Sequence, residues 1–257
     1  MKEWLACDVS EYQGVIDFAR LKSHADAVIL RLGYVGNSEC CLDEMWARNV
    51  AECEKHEIPW GVYVYTYVKT PERMRTCADW VVRQLAGHRP TLPVYLDIEE
   101  SGVVSGGNAN TLAMAKAFCG ALASAGFAPG IYSSTWWYET YLNDPWYDTV
   151  SLWVADWSSE CGRQGADLWQ YTSRGRLPGI DGYVDLNRLY LSPVPGDADG
   201  DGAVTARDAR LALRASARLE TLSPAEKARL DADGDGVLTA RDARRILRRS
   251  AGLEEDA

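Results

Sequence analysis

The chain has 257 residues, enough for a large core and for more than one domain. Apolar residues make up 47% and charged residues 25%, the balance of an ordinary globular protein, and the formal net charge is −10. Such an acidic surface argues against nucleic acid or an anionic membrane as partner, and no apolar stretch is long enough to span a bilayer. The opening "MKEWLACDVSEYQG" has no apolar signal-peptide core, so the expectation is a protein that stays inside or one whose export signal has been removed. Residues 1–196 carry −8 of the charge. Ten Trp and 13 Tyr stand against 3 Phe, and rings with a polar tip suit half-wet surfaces such as sugar sites as well as cores.

In chain order, strands are expected at 4–9, 27–34, 60–67, 92–99, 129–133, 151–156, 167–172 and 183–187. Helical patterns fill 43–56, 71–86 and 111–125. The last of these has Asn110 as its expected N-cap and Gly126 at its close. Strands separated by helices imply a parallel sheet, and eight of them in under 200 residues point to a compact βα barrel whose later helices are short or missing. The seven cysteines (7, 40, 41, 53, 77, 119 and 161) show no metal spacing and read as free thiols, with a bridge from Cys40 or Cys41 left open. His24, His56 and His88 share no spacing that suggests catalysis or metal binding.

The fourth strand meets its acids abruptly, in "LPVYLDIEESG". Residues i and i+2 of a strand face one side, so Asp97 and Glu99 are expected to point together, with Ile98 and Glu100 turned away. Asp8 ends the first strand and Asp185 lies on the last, which become neighbours when a barrel closes. Four carboxylates at one rim raise one another's pKa, and glycosidic cleavage needs such a cluster: one acid to protonate the leaving oxygen, others to stabilise charge at the sugar carbon. Tyr63 with Tyr65, Tyr132, and Trp153 with Trp157 could stack on sugar faces or pack the barrel; sequence leaves both readings open.

The series "DVSEYQG", "GVYVYTY", "LDIE", "GIYSS", "LWVADW", "LWQYTS" and "GYVDLN" resembles, in order, the motifs of family 25 glycoside hydrolases, the Chalaropsis-type lysozymes. The resemblance covers about 4–191. It implies an irregular βα barrel acting on peptidoglycan at the β-1,4 bond between N-acetylmuramic acid and N-acetylglucosamine. It further implies Glu99 as general acid, with Asp8, Asp97 and Asp185 as the other active-site acids. A non-catalytic glycan-binding barrel and an endo-N-acetylglucosaminidase or chitin-type glycosidase are the alternatives.

At "SPVPG" (192–196) Pro193 and Pro195 make a short stiff connector. Beyond it, "DADGDGAVTARDARLALR" from Asp197 returns as "DADGDGVLTARDARRILR" from Asp231. Asp197, Asp199, Asp201 and Asp208 occupy positions 1, 3, 5 and 12 of a calcium loop, with Gly202 at the turn. Ala203 would offer a carbonyl, and Thr205 a hydroxyl or a water. The second copy places Asp231, Asp233, Asp235, Gly236, Val237, Thr239 and Asp242 in the same roles. Ser223, Pro224 and Glu226 begin a helix before the second loop, and the prolines forbid one before the first. Duplicated loop–helix units with Asp at position 12 resemble a type I dockerin. That resemblance implies two structural Ca2+ ions, a cohesin partner on a bacterial scaffold, and a place outside the cell. Ala206–Arg207 and Ala240–Arg241, identical in the two copies, stand at positions that the resemblance implies help choose the partner.

The expected architecture is therefore an irregular TIM-like (β/α) barrel at 1–191, a Pro-rich linker at 192–196 and a small all-α dockerin with two EF-hand-like loops at 197–257. The expected partners are peptidoglycan strands and a cohesin, with no nucleic acid, no membrane and no cofactor for catalysis.

Overall fold

The computed structural model describes residues 4–190, 194–199, 203–222, 224–233 and 235–253. Pro193, Asp201, Gly202 and Ser223, named above, lie outside the described residues. The strands are β1 (Trp4–Val9), β2 (Ala27–Val35), β3 (Cys40–Leu42), β4 (Trp60–Thr66), β5 (Val94–Asp97), β6 (Pro129–Ser134), β7 (Ser151–Ala155), β8 (Leu168–Gly175) and β9 (Val184–Leu189). Their spatial order is β1-β9-β8-β7-β6-β5-β4-β2-β3, and β1 also pairs with β2. That last pairing closes eight strands into a barrel and leaves β3 as an antiparallel flap on β2.

Pairing is parallel from β1 through β2, β4, β5, β6 and β7 to β8. The expectation of a parallel sheet fails at β9, which is antiparallel to both β8 and β1. Only residues 176–183 join β8 to β9, too few for a crossover, so the chain can only turn back. The outer helices are α1 (Phe18–Leu21), α2 (Trp46–Lys55), α3 (Pro71–Gln84), α4 (Asn108–Ser124) and α5 (Thr135–Thr140), with no α-helix between β7 and β8. Helix α4 starts earlier than expected: Gly107 holds the N-cap position, and the Asn110 side chain instead donates to the Lys69 carbonyl at 2.9 Å.

Strand alternation decides what enters the barrel. On β1 the inward series is Trp4, Ala6, Asp8; on β5 it is Tyr95, Asp97; on β9, running the other way, Leu189, Asn187, Asp185. Register sets these side by side, with Trp4 opposite Leu189 and Asp8 opposite Asp185. The barrel interior is therefore apolar at its floor, aromatic at its waist (Tyr95, Tyr132, Trp153) and acidic at its upper rim. A larger apolar core, including Leu30, Val62, Met74, Phe118 and Val154, lies between the strands and the helices.

Beyond the linker come α6 (Ala206–Ser216), α7 (Pro224–Leu230) and α8 (Ala240–Ser250). The two sequence repeats pack against each other through equivalent positions: Ala209 and Ala243, Ala212 and Ile246. This small core is seated under the barrel floor. Val194 packs into the interior barrel cluster, Gly196 N donates to Arg229 O at 2.9 Å, and Arg249 Nη1 donates to Pro195 O at 3.3 Å. Gly126, just after α4, meets Gly236 of the second loop backbone to backbone. Among the described residues no helix is long and apolar enough to cross a membrane.

Candidate active site and calcium loops

The four acids of the sequence reading converge. Asp8, Asp97, Glu99 and Asp185 line one open cavity of about 330 Å3 at the upper rim, together with Tyr12, Arg31, Tyr63, Tyr65, Tyr67, Tyr132, Trp153 and Gln170. Because β5 stops at Asp97, the pleat no longer dictates direction beyond it. Glu99 stands exposed at the mouth, while Glu100 lies outside the cavity lining and accepts the Tyr65 hydroxyl on its Oε1 at 2.9 Å.

Every one of the four acids is pushed toward its protonated form. Burial is the first cause throughout. Asp8 rises to about 8, with the Asp185 carboxylate across the β1–β9 ladder as the second cause and hydrogen bonds from Asn187 and Gln170 working against the shift. Asp185 rises as well, and the pair titrates as a unit. Asp97 is 3% exposed, and its Oδ1 has no hydrogen-bond partner; burial raises its pKa, followed by the charges of Glu99 and Asp8. An unpaired buried polar oxygen costs roughly 1–3 kcal/mol, and more as an anion, so keeping the proton is the cheaper state. Glu99 is raised by the protein crowded around it, then by Glu100 and Asp185.

Two amides, absent from the sequence reading, aim Asp8. Asn187 Nδ2 and Gln170 Nε2 donate to Asp8 Oδ2 at 2.8 and 3.1 Å. An indole N–H can only donate, so it fixes which end of an amide faces it. Trp153 Nε1 binds Asn187 Oδ1 at 2.7 Å; Trp157 Nε1 and the Tyr132 hydroxyl meet Gln170 Oε1 at 3.4 and 3.1 Å. Both NH2 groups are thereby turned toward the carboxylate. The signal was present in alternation: Asn187 follows Asp185 by two, on the same face.

The aromatic residues divide. Trp153 is 1% exposed and Tyr132 8%, and their centroids lie 4.4 Å apart, so both rings are barrel packing with one edge on the cavity. Tyr63 and Tyr65 are half-buried in its wall. Trp157, two residues beyond β7, is 66% exposed and stands at the mouth. Arg31, the one cation lining the cavity among the described residues, faces Glu11 at 3.5 Å and Asp43 at 3.9 Å on its other side. All seven cysteines are free thiols, and Cys40 lies not against Cys41 but 3.5 Å from the Cys77 sulfur.

In the C-terminal part, Asp197, Asp199 and Asp208 offer oxygens within 4.8 Å of one another, and so do Asp231, Asp233 and Asp235. Three carboxylates at that spacing, on loops of calcium-binding pattern, fit a hard divalent cation. Asp208 and Asp242 also clasp their loops. Asp208 Oδ1 accepts from the N–H groups of Ala198 and Asp199, and its Oδ2 accepts from Thr205 N and Oγ1. Burial pushes Asp208 upward, but those hydrogen bonds outweigh it and leave the carboxyl below its ordinary value. Thr205 and Thr239 cap α6 and α8 with their hydroxyls, each in a capping box with the Asp at N3. Asp242 repeats the clasp through Asp233 N and Thr239. Ala203 and Val237 lie in the two loops between these groups.

Comparison with known proteins agrees with this geometry. Residues 195–249 match the Dockerin type I domain. YegX, an uncharacterized protein of Escherichia coli O157:H7, is 27% identical over 195 residues, covering 70% of this chain and 67% of its own. The modular autolysin LytC from Streptococcus pneumoniae, solved in complex with a synthetic peptidoglycan ligand, superposes with a TM-score of 0.66 at 25% identity. That alignment covers 73% of this chain and 47% of LytC, so the chain spans about half its length. The catalytic domain of endolysin ply40, from bacteriophage P40 of Listeria monocytogenes, gives a TM-score of 0.61 at 26% identity, covering 73% and 93% of the two chains. With residues 7–180 matching the Glycosyl hydrolases family 25 profile, and four acids at the rim of a barrel of that fold, the chain belongs to glycosyl hydrolase family 25.

Proposed function

We propose that the protein is a secreted peptidoglycan hydrolase that cleaves the β-1,4 bond between N-acetylmuramic acid and N-acetylglucosamine. The observation that carries this reading is the convergence of four carboxylates, all with raised pKa, on one open cavity. Glu99 acts as general acid: it is the acid at the mouth, where a leaving oxygen arrives, and it holds its proton to higher pH than an ordinary glutamate. Asp8, held by two amides, and its cross-strand partner Asp185 share a proton, and the negative charge left on the pair stabilises positive charge at the sugar carbon; the Glu100 and Asp185 charges keep Glu99 protonated, and Asp97, which holds its own proton, orients the sugar's acetamido group. Trp157 offers its exposed ring to a sugar face at the mouth.

The second part, from residue 197 onward, attaches this barrel to a cohesin-bearing scaffold outside the cell. Two calcium ions hold it, one by Asp197, Asp199, Asp201, Ala203, Thr205 and Asp208, the other by Asp231, Asp233, Asp235, Val237, Thr239 and Asp242; calcium supplies the charge neutralisation that lets each loop close. Mass spectrometry of digested peptidoglycan tests the assignment. Fragments with reducing-end muramic acid are expected. Reducing-end glucosamine would make it a glucosaminidase, and no fragments a binding protein.

A further inference from the structure

The turn between β8 and β9 carries a cationic feature for which the acids and amides of the cavity have no use. Arg174 and Arg176 are both exposed, and their guanidinium carbons lie over one ring, that of Tyr183, at 5.3 and 4.7 Å from its centroid. Tyr183 is 49% exposed and precedes Asp185 by two residues, roughly 7 Å of extended chain from a carboxylate of the cavity. Neither arginine forms an ion pair among the described residues, although Asp181 shares the turn. Two like charges gathered on one ring repel each other, and on so acidic a barrel a neutralising acid was readily to hand.

The platform beneath them is rigid. Leu177 and Ile180 are buried in the main core, and Asp17 N donates to Gly179 O at 2.8 Å. Gly179 has φ +100°, and a Cβ there would stand 2.5 Å from Asp17 O, so the turn accepts no other residue without moving. The adjoining open groove adds Arg20. Of the two acids in that groove, Asp181 forms no ion pair among the described residues and Asp17 is committed to capping α1 through Arg20 N at 3.1 Å. A preordered pair of guanidinium forks without a protein counter-ion matches a planar oxyanion ligand.

We propose that Arg174, Arg176 and Tyr183 form a subsite for the carboxylates of the peptide stem that hangs from the muramic acid residue. This rests on the muramidase reading above. The stem is tethered to the sugar whose bond lies over Asp185, which fixes its carboxylates within reach of the turn; other wall anions have no such fixed distance. The subsite also accounts for how an acidic barrel handles an anionic wall: it meets the negative charge at one point on the rim.

The test compares two substrates, wall glycan bearing its stems and the same glycan freed of them by an amidase, each assayed before and after its phosphate polymers are removed. The double variant R174Q/R176Q should lower the ratio of kcat/KM on stem-bearing to stem-free glycan about fivefold, the worth of two partly exposed charge contacts. The single change Tyr183→Leu, which removes the shared ring, should lower it by less. An unchanged ratio overturns the subsite, and so does a preference that is present only before the phosphate polymers are removed. Failure of the wild-type chain to release muramic-acid ends from either substrate refutes the muramidase reading itself, and is seen before any variant is compared.

Discussion

The barrel rim and the calcium loops both crowd aspartates together, and they handle the charge in opposite ways. At the rim, Asp8, Asp97 and Asp185 are enclosed by aromatic rings and offered few N–H donors, so each holds its proton more tightly than usual. In the first loop, Asp208 is at least as deeply buried, yet four donors reach its two oxygens and its pKa falls. Burial alone does not decide ionisation. Like-charged neighbours push the rim acids up while donors pull Asp208 down, which suits one cluster to hold protons for chemistry and the other to hold a cation.

The sharpest way to break this contrast is at Glu99. Replacing it by Gln keeps the shape and removes the transferable proton, and should reduce wall lysis about 10²–10⁴-fold with the thermal midpoint unchanged. Retained lysis would move the proton donor elsewhere. Chelation attacks the other cluster. With EDTA, the 11-residue helices α6 and α8 should lose helical circular dichroism and cohesin capture should stop. Tryptophan fluorescence should change little, because all ten indoles lie at or before Trp169.

Proton linkage sharpens the comparison further. Asp8 binds a proton up to about pH 8 in the folded barrel and only to about 3.8 when unfolded. Its contribution to stability is therefore complete below about pH 4 and is lost as pH climbs toward 8, by up to about 1.4 kcal/mol per pH unit for one proton. Asp208 has the opposite sign: its contribution is present above its unfolded pKa and disappears as pH falls through its lower folded value. Urea titrations read by tryptophan fluorescence should show the barrel weakening from pH 5 to 8, and Asp8→Asn should flatten that slope. Asn187→Ala removes a donor that lowers the Asp8 pKa and should move the pH–activity profile upward by about one unit. The smallest effect is expected from Trp157→Phe, which keeps the ring but loses a 3.4 Å contact to Gln170; about threefold in kcat/KM is its expected cost.

Much of this was legible in the residues. Strand alternation, with acids at the ends of the first and fourth runs and one on the last, placed Asp8, Asp97 and Asp185 on one rim, and the duplicated Asp pattern located both loops before any contact was known. What escaped was tertiary. Nothing local says that β9 runs backward; the shortness of 176–183 is the sole hint. Asn187 and Gln170 look like ordinary polar residues until the indoles of Trp153 and Trp157 orient them. Thr205 and Thr239 were read for the cation alone, when a capping threonine preceding an acid at N3 is itself a helix-start signal.

The seam between the two parts has a practical consequence. Where Gly126 meets Gly236, a Cβ added to either would lie 3.3 or 3.2 Å from the other's Cα, closer than atoms at van der Waals contact stand. The barrel and the dockerin thus meet backbone to backbone at two glycines whose φ of +86° and +83° also disfavours any side chain. A designer wishing to swing the barrel away from the dockerin has a wedge one carbon thick.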